Sequence, residues 1–185
     1  MKKIVIFWGV IVSTIVLFSC NNNYKDVPFQ EKIPHDWENP AVSQLNKEEP
    51  RAYFIPYATP GELATGNKWA SSLIKSLNGT WKFNLSDKPA DRPAWFFKDD
   101  YDISDWKSIT VPGNWELQGF DYPIYTNAKY PHDKTPPIIQ DYYNPVGSYK
   151  RTFELPQKWN QKEVILHFGA VSSAMYVWVN EQLVG

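Results

Sequence analysis

The sequence predicts an all-β fold, a sandwich of two antiparallel sheets in which loops at one end carry the site. Three observations indicate this class. Aromatic residues make up 16% of the 185-residue chain, with 9 Trp, and such side chains favour strands. Apolar and polar residues alternate in several stretches, and 15 Pro and 9 Gly supply breaks between them. The length suits one domain with a short arm.

The first twenty residues have the pattern of an export signal. A basic Met-Lys-Lys start precedes an almost unbroken apolar run from Ile4 to Phe18, which is shorter than the roughly 20 residues of a membrane span. The run ends in Leu-Phe-Ser-Cys, which resembles the bacterial lipobox. We therefore expect residues 1–19 to be a lipoprotein signal peptide, Cys20 to be lipidated, and the protein to be exported to the periplasm or outer membrane. An ordinary signal peptide with an incidental cysteine is the alternative.

Two segments separate this signal from the predicted domain. Residues 20–35 are polar and include two prolines, which predicts a flexible tether. Residues 36–70 carry apolar anchors such as Trp37, Val42 and Phe54 without a regular period. That pattern predicts an extended arm and not a helix.

The strands of the sandwich are predicted within residues 71–185. Trp81, Phe83 and Leu85 alternate with polar residues, which indicates a half-buried strand. Further strands are predicted over residues 146–155, 162–171 (with Gly169 as a bulge or bend) and 174–180. Asn180-Glu181 then turns the chain into Leu183-Val184, so a hairpin is predicted at the end.

The candidate site is the loop from Val111 to Pro131. Proline and glycine break the chain there, and Trp115, Phe120 and several tyrosines stand beside the small polar pair Thr126-Asn127. Aromatic planes beside amides suit a sugar, which has apolar C–H faces and a rim of hydroxyls. A loop that packs on the core is the alternative.

Two motifs in this loop resemble a known family. Val-Pro-Gly-Asn-Trp at residues 111–115 and Pro-Ile-Tyr-Thr-Asn-Ala-Lys-Tyr-Pro at residues 123–131 are similar to the signature of the N-terminal domain of glycoside hydrolase family 2, closest to its large bacterial β-galactosidases. Asp-Trp-Glu-Asn-Pro-Ala-Val-Ser-Gln-Leu-Asn at residues 36–46 resembles the arm of the same enzymes. The resemblance covers residues 36–185 and implies a jelly-roll-like sandwich, similar to galactose-binding domains and incomplete at its C-terminus.

The resemblance also implies a function. The chain would be the N-terminal part of a β-galactosidase that hydrolyses terminal non-reducing β-D-galactose residues. In the family, the asparagine of Tyr-Thr-Asn hydrogen-bonds the galactosyl ring, so Asn127 is the predicted substrate-binding residue. The catalytic carboxylates lie in a later barrel domain, so no catalytic residue is expected here and this chain alone is expected to be inactive.

For the complete enzyme, the resemblance implies further partners. These are a divalent cation (Mg²⁺ or Ca²⁺) and Na⁺, the remaining domains of the same enzyme, and a homo-oligomer to which the arm contributes. Two other functions stay open. One is a lipid-tethered carbohydrate-binding module without catalysis, and the other is a family 2 enzyme for another β-glycoside, against which the Asp-Trp-Glu-Asn-Pro arm argues.

Other chemistries have weak support in the sequence. A net charge of −1 and a pI near 6.3 give no reason to expect nucleic acid, and membrane contact is expected through the lipid alone. The acidic stretch after Phe97 lacks the spacing of a calcium loop, and the three histidines are far apart, so no metal site is expected. Asn180-Glu181 resembles the dipeptide that contains the family's acid/base residue, but between alternating strands we interpret it as a turn.

Overall fold

The computed structural model describes residues 35–124, 127 and 131–185. Its main element is a three-stranded antiparallel sheet in the order β2-β1-β3. The strands are β1 (Gly79–Ser86), β2 (Lys107–Val111) and β3 (Val146–Lys150). Phe83 in the central strand stands opposite Lys107 on one side and Tyr149 on the other. The strand predicted from the alternation around Phe83 is confirmed.

An aromatic cluster forms the core on one face of this sheet. Phe83 is 1% exposed and Ile109 is 2% exposed. Trp106, which is 6% exposed, packs in a separate ring cluster with Phe96 and Tyr101. The Phe83 ring lies 4.7 Å from the rings of both Tyr149 and Phe120. Because Phe120 belongs to the candidate loop, the loop and the sheet share one core.

The predicted C-terminal hairpin is confirmed. Strands β4 (Trp178–Val179) and β5 (Gln182–Leu183) pair antiparallel across a two-residue turn. The turn residues Asn180 and Glu181 have φ values of 49° and 66°. Positive φ at both central positions is the geometry of a type I′ turn, which matches the right-handed twist of paired strands.

The other predicted strands are shorter than expected or missing. β3 ends at Lys150, and residues 162–171 form no ladder with any segment that the structure describes. Alternation indicates that an extended segment has two different faces, but a strand also needs a hydrogen-bonded neighbour. Here the apolar side chains stay partly exposed, with Ile165 at 50% and Phe168 at 42%. Gly169 is therefore not a bulge in a described sheet.

The arm contains short helical turns that the sequence reading missed. Helix α1 (Pro60–Ala64) begins after Thr59, whose Oγ1 accepts the Glu62 N–H at 3.2 Å, while Glu62 accepts the Ala58 N–H at 2.9 Å. Thr-x-x-Glu is a capping-box sequence, and Pro60 suits the first helical position.

The described 3₁₀ turns lie both in the arm and in the domain. They are Asp36–Glu38, Lys68–Ala70, Pro89–Asp91, Glu116–Gln118 and Gln157–Trp159.

The start of the arm packs on the domain itself. Tyr176 Oη donates to Asp36 Oδ2 at 3.0 Å, and the Ile139 N–H donates to Glu38 Oε1 at 3.0 Å. The Trp37 ring meets Tyr176 edge to face at 6.4 Å.

Antiparallel sheets with few and short helices are consistent with the predicted β-sandwich. In the described part of the chain, no helix has the length and apolar character needed to cross a membrane.

Candidate functional site

The candidate loop leaves β2 and is tied back to it by Gln118. The Gln118 side-chain amide accepts the Thr110 N–H at 2.8 Å and donates to the Thr110 carbonyl at 3.0 Å. One side chain thereby satisfies both backbone groups of a strand residue. The Gln118 side chain thus holds the first part of the loop against the sheet, in addition to the turns within the loop.

Two aromatic rings fix the underside of the loop. Phe120 packs edge to face on Phe83, and the Trp115 ring lies 6.1 Å from that of Phe83. Edge-to-face pairs of this kind contribute about 0.5–1.5 kcal/mol beyond the area that they bury. The alternative reading of the loop, as a segment that packs on the core, is therefore correct for Trp115 and Phe120.

A sharp reversal follows Phe120. Gly119 has φ 84° and Asp121 has φ 63°, so both lie in the left-handed region that glycine adopts easily and that aspartate tolerates better than most residues. Tyr143 Oη donates to Asp121 Oδ1 at 2.5 Å. The Tyr122 ring stacks on Tyr143, with 6.0 Å between centroids and 13° between planes.

Burial raises the pKa of Tyr143 well above its ordinary range, and the hydrogen bond to Asp121 acts in the same direction. Both effects favour the neutral phenol, because the charged form would lose hydration and face the Asp121 carboxylate. The phenol therefore keeps its proton at neutral pH and remains a donor to Asp121.

A cleft of about 280 Å³ lies between β1, the start of β2 and this reversal. The residues that line it include the aromatic Phe120 and Trp106 and the charged Asp105, Lys107 and Asp121. The Lys107 ammonium lies 5.6 Å from the centre of the Phe120 ring. Aromatic and charged groups are thus combined beside the loop.

Asn127, the predicted substrate-binding residue, is exposed. It follows Tyr122 and Ile124, which are 60% and 50% exposed. Residues 125–126 and 128–130 lie outside the described part of the chain, as do the predicted signal peptide, most of the tether and Cys20. The structure therefore places Asn127 on the surface, six positions after the left-handed residue Asp121 in the chain.

Glu181 has a structural role in the hairpin. Its Oε1 accepts the Asp99 N–H at 2.8 Å, and its Oε2 lies 3.8 Å from Lys98 Nζ. With φ 66° it also occupies the second turn position. These contacts agree with the interpretation of Asn180-Glu181 as a turn.

The acidic stretch forms local turns. Asp102 Oδ1 accepts the Ser104 N–H at 2.9 Å, and this bond holds the pKa of that carboxyl below its ordinary value. No group of three or more His, Cys, Asp or Glu side chains that could hold a metal ion occurs among the described residues. The three histidines that are not expected to bind a metal are His35, His132 and His167. The His35 ring stacks on Trp37 with 4.4 Å between centroids, and the His167 ring lies 5.5 Å from that of Tyr53.

Sequence reasoning missed Gln118, Asp121 and Tyr143. Asp121 carries one readable signal, because an aspartate just after Gly-Phe in a turn-rich stretch is a candidate for positive φ. The partner of Asp121 lies 22 positions away, and no local pattern indicates that pairing.

Comparison with known proteins agrees with the motifs of the loop. The family model described as glycosyl hydrolases family 2, sugar binding domain, matches residues 74–185. A β-galactosidase of Priestia megaterium is 39% identical over 155 residues, which cover 81% of this chain and 15% of that relative. Two more β-galactosidases, from Psychromonas ingrahamii and Pseudoalteromonas haloplanktis, are 39% and 40% identical over 81% of this chain and 14% of each relative.

This chain therefore spans about 15% of the length of the relatives that it matches. The match begins just before β1 and includes the whole candidate loop. The resemblance found in the motifs is confirmed: the chain belongs to glycoside hydrolase family 2, and residues 74–185 match its sugar binding domain.

Proposed function

We propose that this domain supplies a substrate-contacting loop to a β-galactosidase, and that Asn127 hydrogen-bonds the galactosyl unit of a β-galactoside. The observation that carries the proposal is the exposure of Asn127 on a loop whose entry is fixed by Gln118 and Phe120. An amide offers two donors and an acceptor, which match sugar hydroxyls. A fixed loop entry limits how far that amide can drift.

Catalysis is assigned to other parts of the complete enzyme. Glycoside hydrolysis generally uses two carboxylates that flank the scissile bond, about 5–9.5 Å apart. We assign no such pair within this chain, and the Glu181 contacts already have a structural explanation. The proposed architecture is a jelly-roll-like sandwich over residues 71–185, with an arm over residues 36–70 that contributes to a homo-oligomer.

In the complete enzyme, Asn127→Ala is expected to lower kcat/KM by roughly 10 to 100-fold. One hydrogen bond to a neutral ligand contributes about 0.5–1.5 kcal/mol, and an unpaired buried partner costs about 1–3 kcal/mol. The measurement is steady-state hydrolysis of nitrophenyl β-galactoside. Asn160→Ala makes the same truncation at another exposed asparagine and should leave kcat/KM unchanged. Wild-type kcat/KM in Asn127→Ala would refute the sugar contact.

We also propose that the protein is an exported lipoprotein anchored through Cys20. The support is the basic start, the apolar run and the Leu-Phe-Ser-Cys end of that run. Wild-type protein expressed in a bacterium with labelled palmitate is expected to carry the label, and Cys20→Ala is expected to lose it, because the thiol is the attachment point. Ser19→Ala is the control, since it keeps a small residue before the cysteine. Equal labelling of the wild type and Cys20→Ala would exclude this anchor.

A further inference from the structure

The reversal at Gly119 to Asp121 is held from outside the loop. Asp121 adopts φ 63°, a conformation that costs a non-glycine residue free energy unless its surroundings enforce it. The enforcing contact is the 2.5 Å hydrogen bond from Tyr143 Oη to Asp121 Oδ1. Such a length is typical of a hydroxyl that donates to a carboxylate, and this type of bond is about twice as strong as one between neutral groups.

Tyr143 is itself attached to the sheet. Its neighbour Asn144 donates its N–H to the Asp87 carbonyl at 2.8 Å, immediately after β1. Three residues after Tyr143, the chain enters β3, which pairs with β1. Tyr143 is therefore fixed relative to the sheet, and its hydrogen bond to Asp121 fixes the loop relative to the sheet as well.

A second contact between the same segments is the ring stack of Tyr122 on Tyr143. Tyr122 follows Asp121 directly and lies five positions before Asn127. The hydrogen bond and the stack thus hold two consecutive loop residues against one side chain. Five residues span at most about 17 Å when extended, so the position of this contact limits the region that Asn127 can reach.

From this geometry we propose that Asp121 and Tyr143 form a clamp that positions the Asn127 loop for the sugar. The inference rests on the proposed contact between Asn127 and the galactosyl unit. Asp121 and Tyr143 are positioning residues in it, because they act through the loop and not on the reacting atoms. Loss of the phenol hydroxyl would release Asp121 from its left-handed conformation and widen the range of positions of Asn127.

The cleft beside Asp121 offers a different role for the same carboxylate. Asp121 lines the cleft together with Asp105 and Phe120, so it could bind a sugar hydroxyl directly. The two roles differ in their dependence on Asn127. A clamp loses its effect when Asn127 is truncated, whereas a separate sugar contact keeps its effect.

The test is a double-mutant cycle in the complete enzyme with nitrophenyl β-galactoside. Tyr143→Phe removes one hydroxyl and retains the ring that stacks on Tyr122. We expect it to lower kcat/KM by about 5 to 10-fold in the wild-type background and by less than about 2-fold in the Asn127→Ala background. Asp121→Asn keeps an acceptor and should retain more activity than Asp121→Ala.

Tyr142→Phe is the matched control. It makes the same change one position earlier, where Tyr142 is 68% exposed and its hydroxyl donates to Asp133 at 3.4 Å. We expect kcat/KM of this variant to equal that of the wild type. All assays are run below the measured Tm of each variant, so that a loss of folded enzyme is not counted as a loss of positioning.

Three outcomes overturn the clamp in different ways. Wild-type kcat/KM in Tyr143→Phe would refute it and leave the Asn127 contact standing. An equal loss in both backgrounds would show that the pair acts independently of Asn127, as a separate sugar contact would. Wild-type kcat/KM in Asn127→Ala alone would refute the proposed function, and the clamp with it.

Discussion

Phe83→Ala is expected to lower the free energy of unfolding of the sheet by about 3–5 kcal/mol. Phe83 is 1% exposed in the central strand, and its ring contacts Tyr149, Phe120 and Trp115. Truncation removes the apolar contacts and leaves a cavity between β1 and the candidate loop, and rings on three sides cannot all move into it. The loop should therefore loosen together with the sheet.

Hydrogen exchange of the β1 amides along a urea series, followed by mass spectrometry, measures this loss. The method reports the opening of this sheet even when other domains are present. Phe153→Ala is the matched control, because the same ring is 40% exposed there, and we expect a change within about 1 kcal/mol. If Phe83→Ala also changed the free energy of unfolding by no more than about 1 kcal/mol, the assignment of Phe83 as the centre of the core would be wrong.

Gly147→Ala is expected to destabilise the same sheet by about 3 kcal/mol, at the upper end of the usual cost of overpacking. A Cβ at this position would lie 2.7 Å from both Phe83 Cε2 and Trp115 Cζ3, and 2.9 Å from Tyr149 Cε2. These atoms belong to packed rings, so relief of the clash requires a shift of β3 or of the loop that contains Trp115. The same hydrogen-exchange series, read on β1 and β3, measures the cost.

Gly169→Ala is the matched control for this substitution. A Cβ at Gly169 would meet no atom within 4 Å, so we expect a change of less than about 0.5 kcal/mol. Equal stability of Gly147→Ala and Gly169→Ala would contradict the close approach of Gly147 to the three rings.

The predictable parts of the fold were those specified by short stretches of sequence. Alternation around Phe83 predicted β1, and Asn180-Glu181 predicted the hairpin because its turn needs residues that tolerate positive φ. Residues 162–171 show the limit of this reasoning. Their alternation predicted a strand, but pairing depends on a neighbour that the pattern does not identify.

The candidate site also has features that the sequence predicts and features that it does not. Its motifs located the loop and named Asn127, because the resemblance involves consecutive residues. The contacts that fix the loop come from Gln118 to Thr110, eight positions apart, and from Tyr143 to Asp121, 22 positions apart. Side-chain contacts of this kind depend on how the segments pack, and neither composition nor period contains that information.

The double hydrogen bond of Gln118 to Thr110 has a consequence for self-association. In the described sheet, β2 pairs with β1 along one side, and the backbone groups on its other side could accept a strand from a second molecule. The Gln118 amide occupies the N–H and carbonyl of Thr110 as a neighbouring strand would. The loop that holds the proposed sugar contact thus also covers one residue of the β2 edge, at a position where a strand from a second molecule would otherwise form hydrogen bonds.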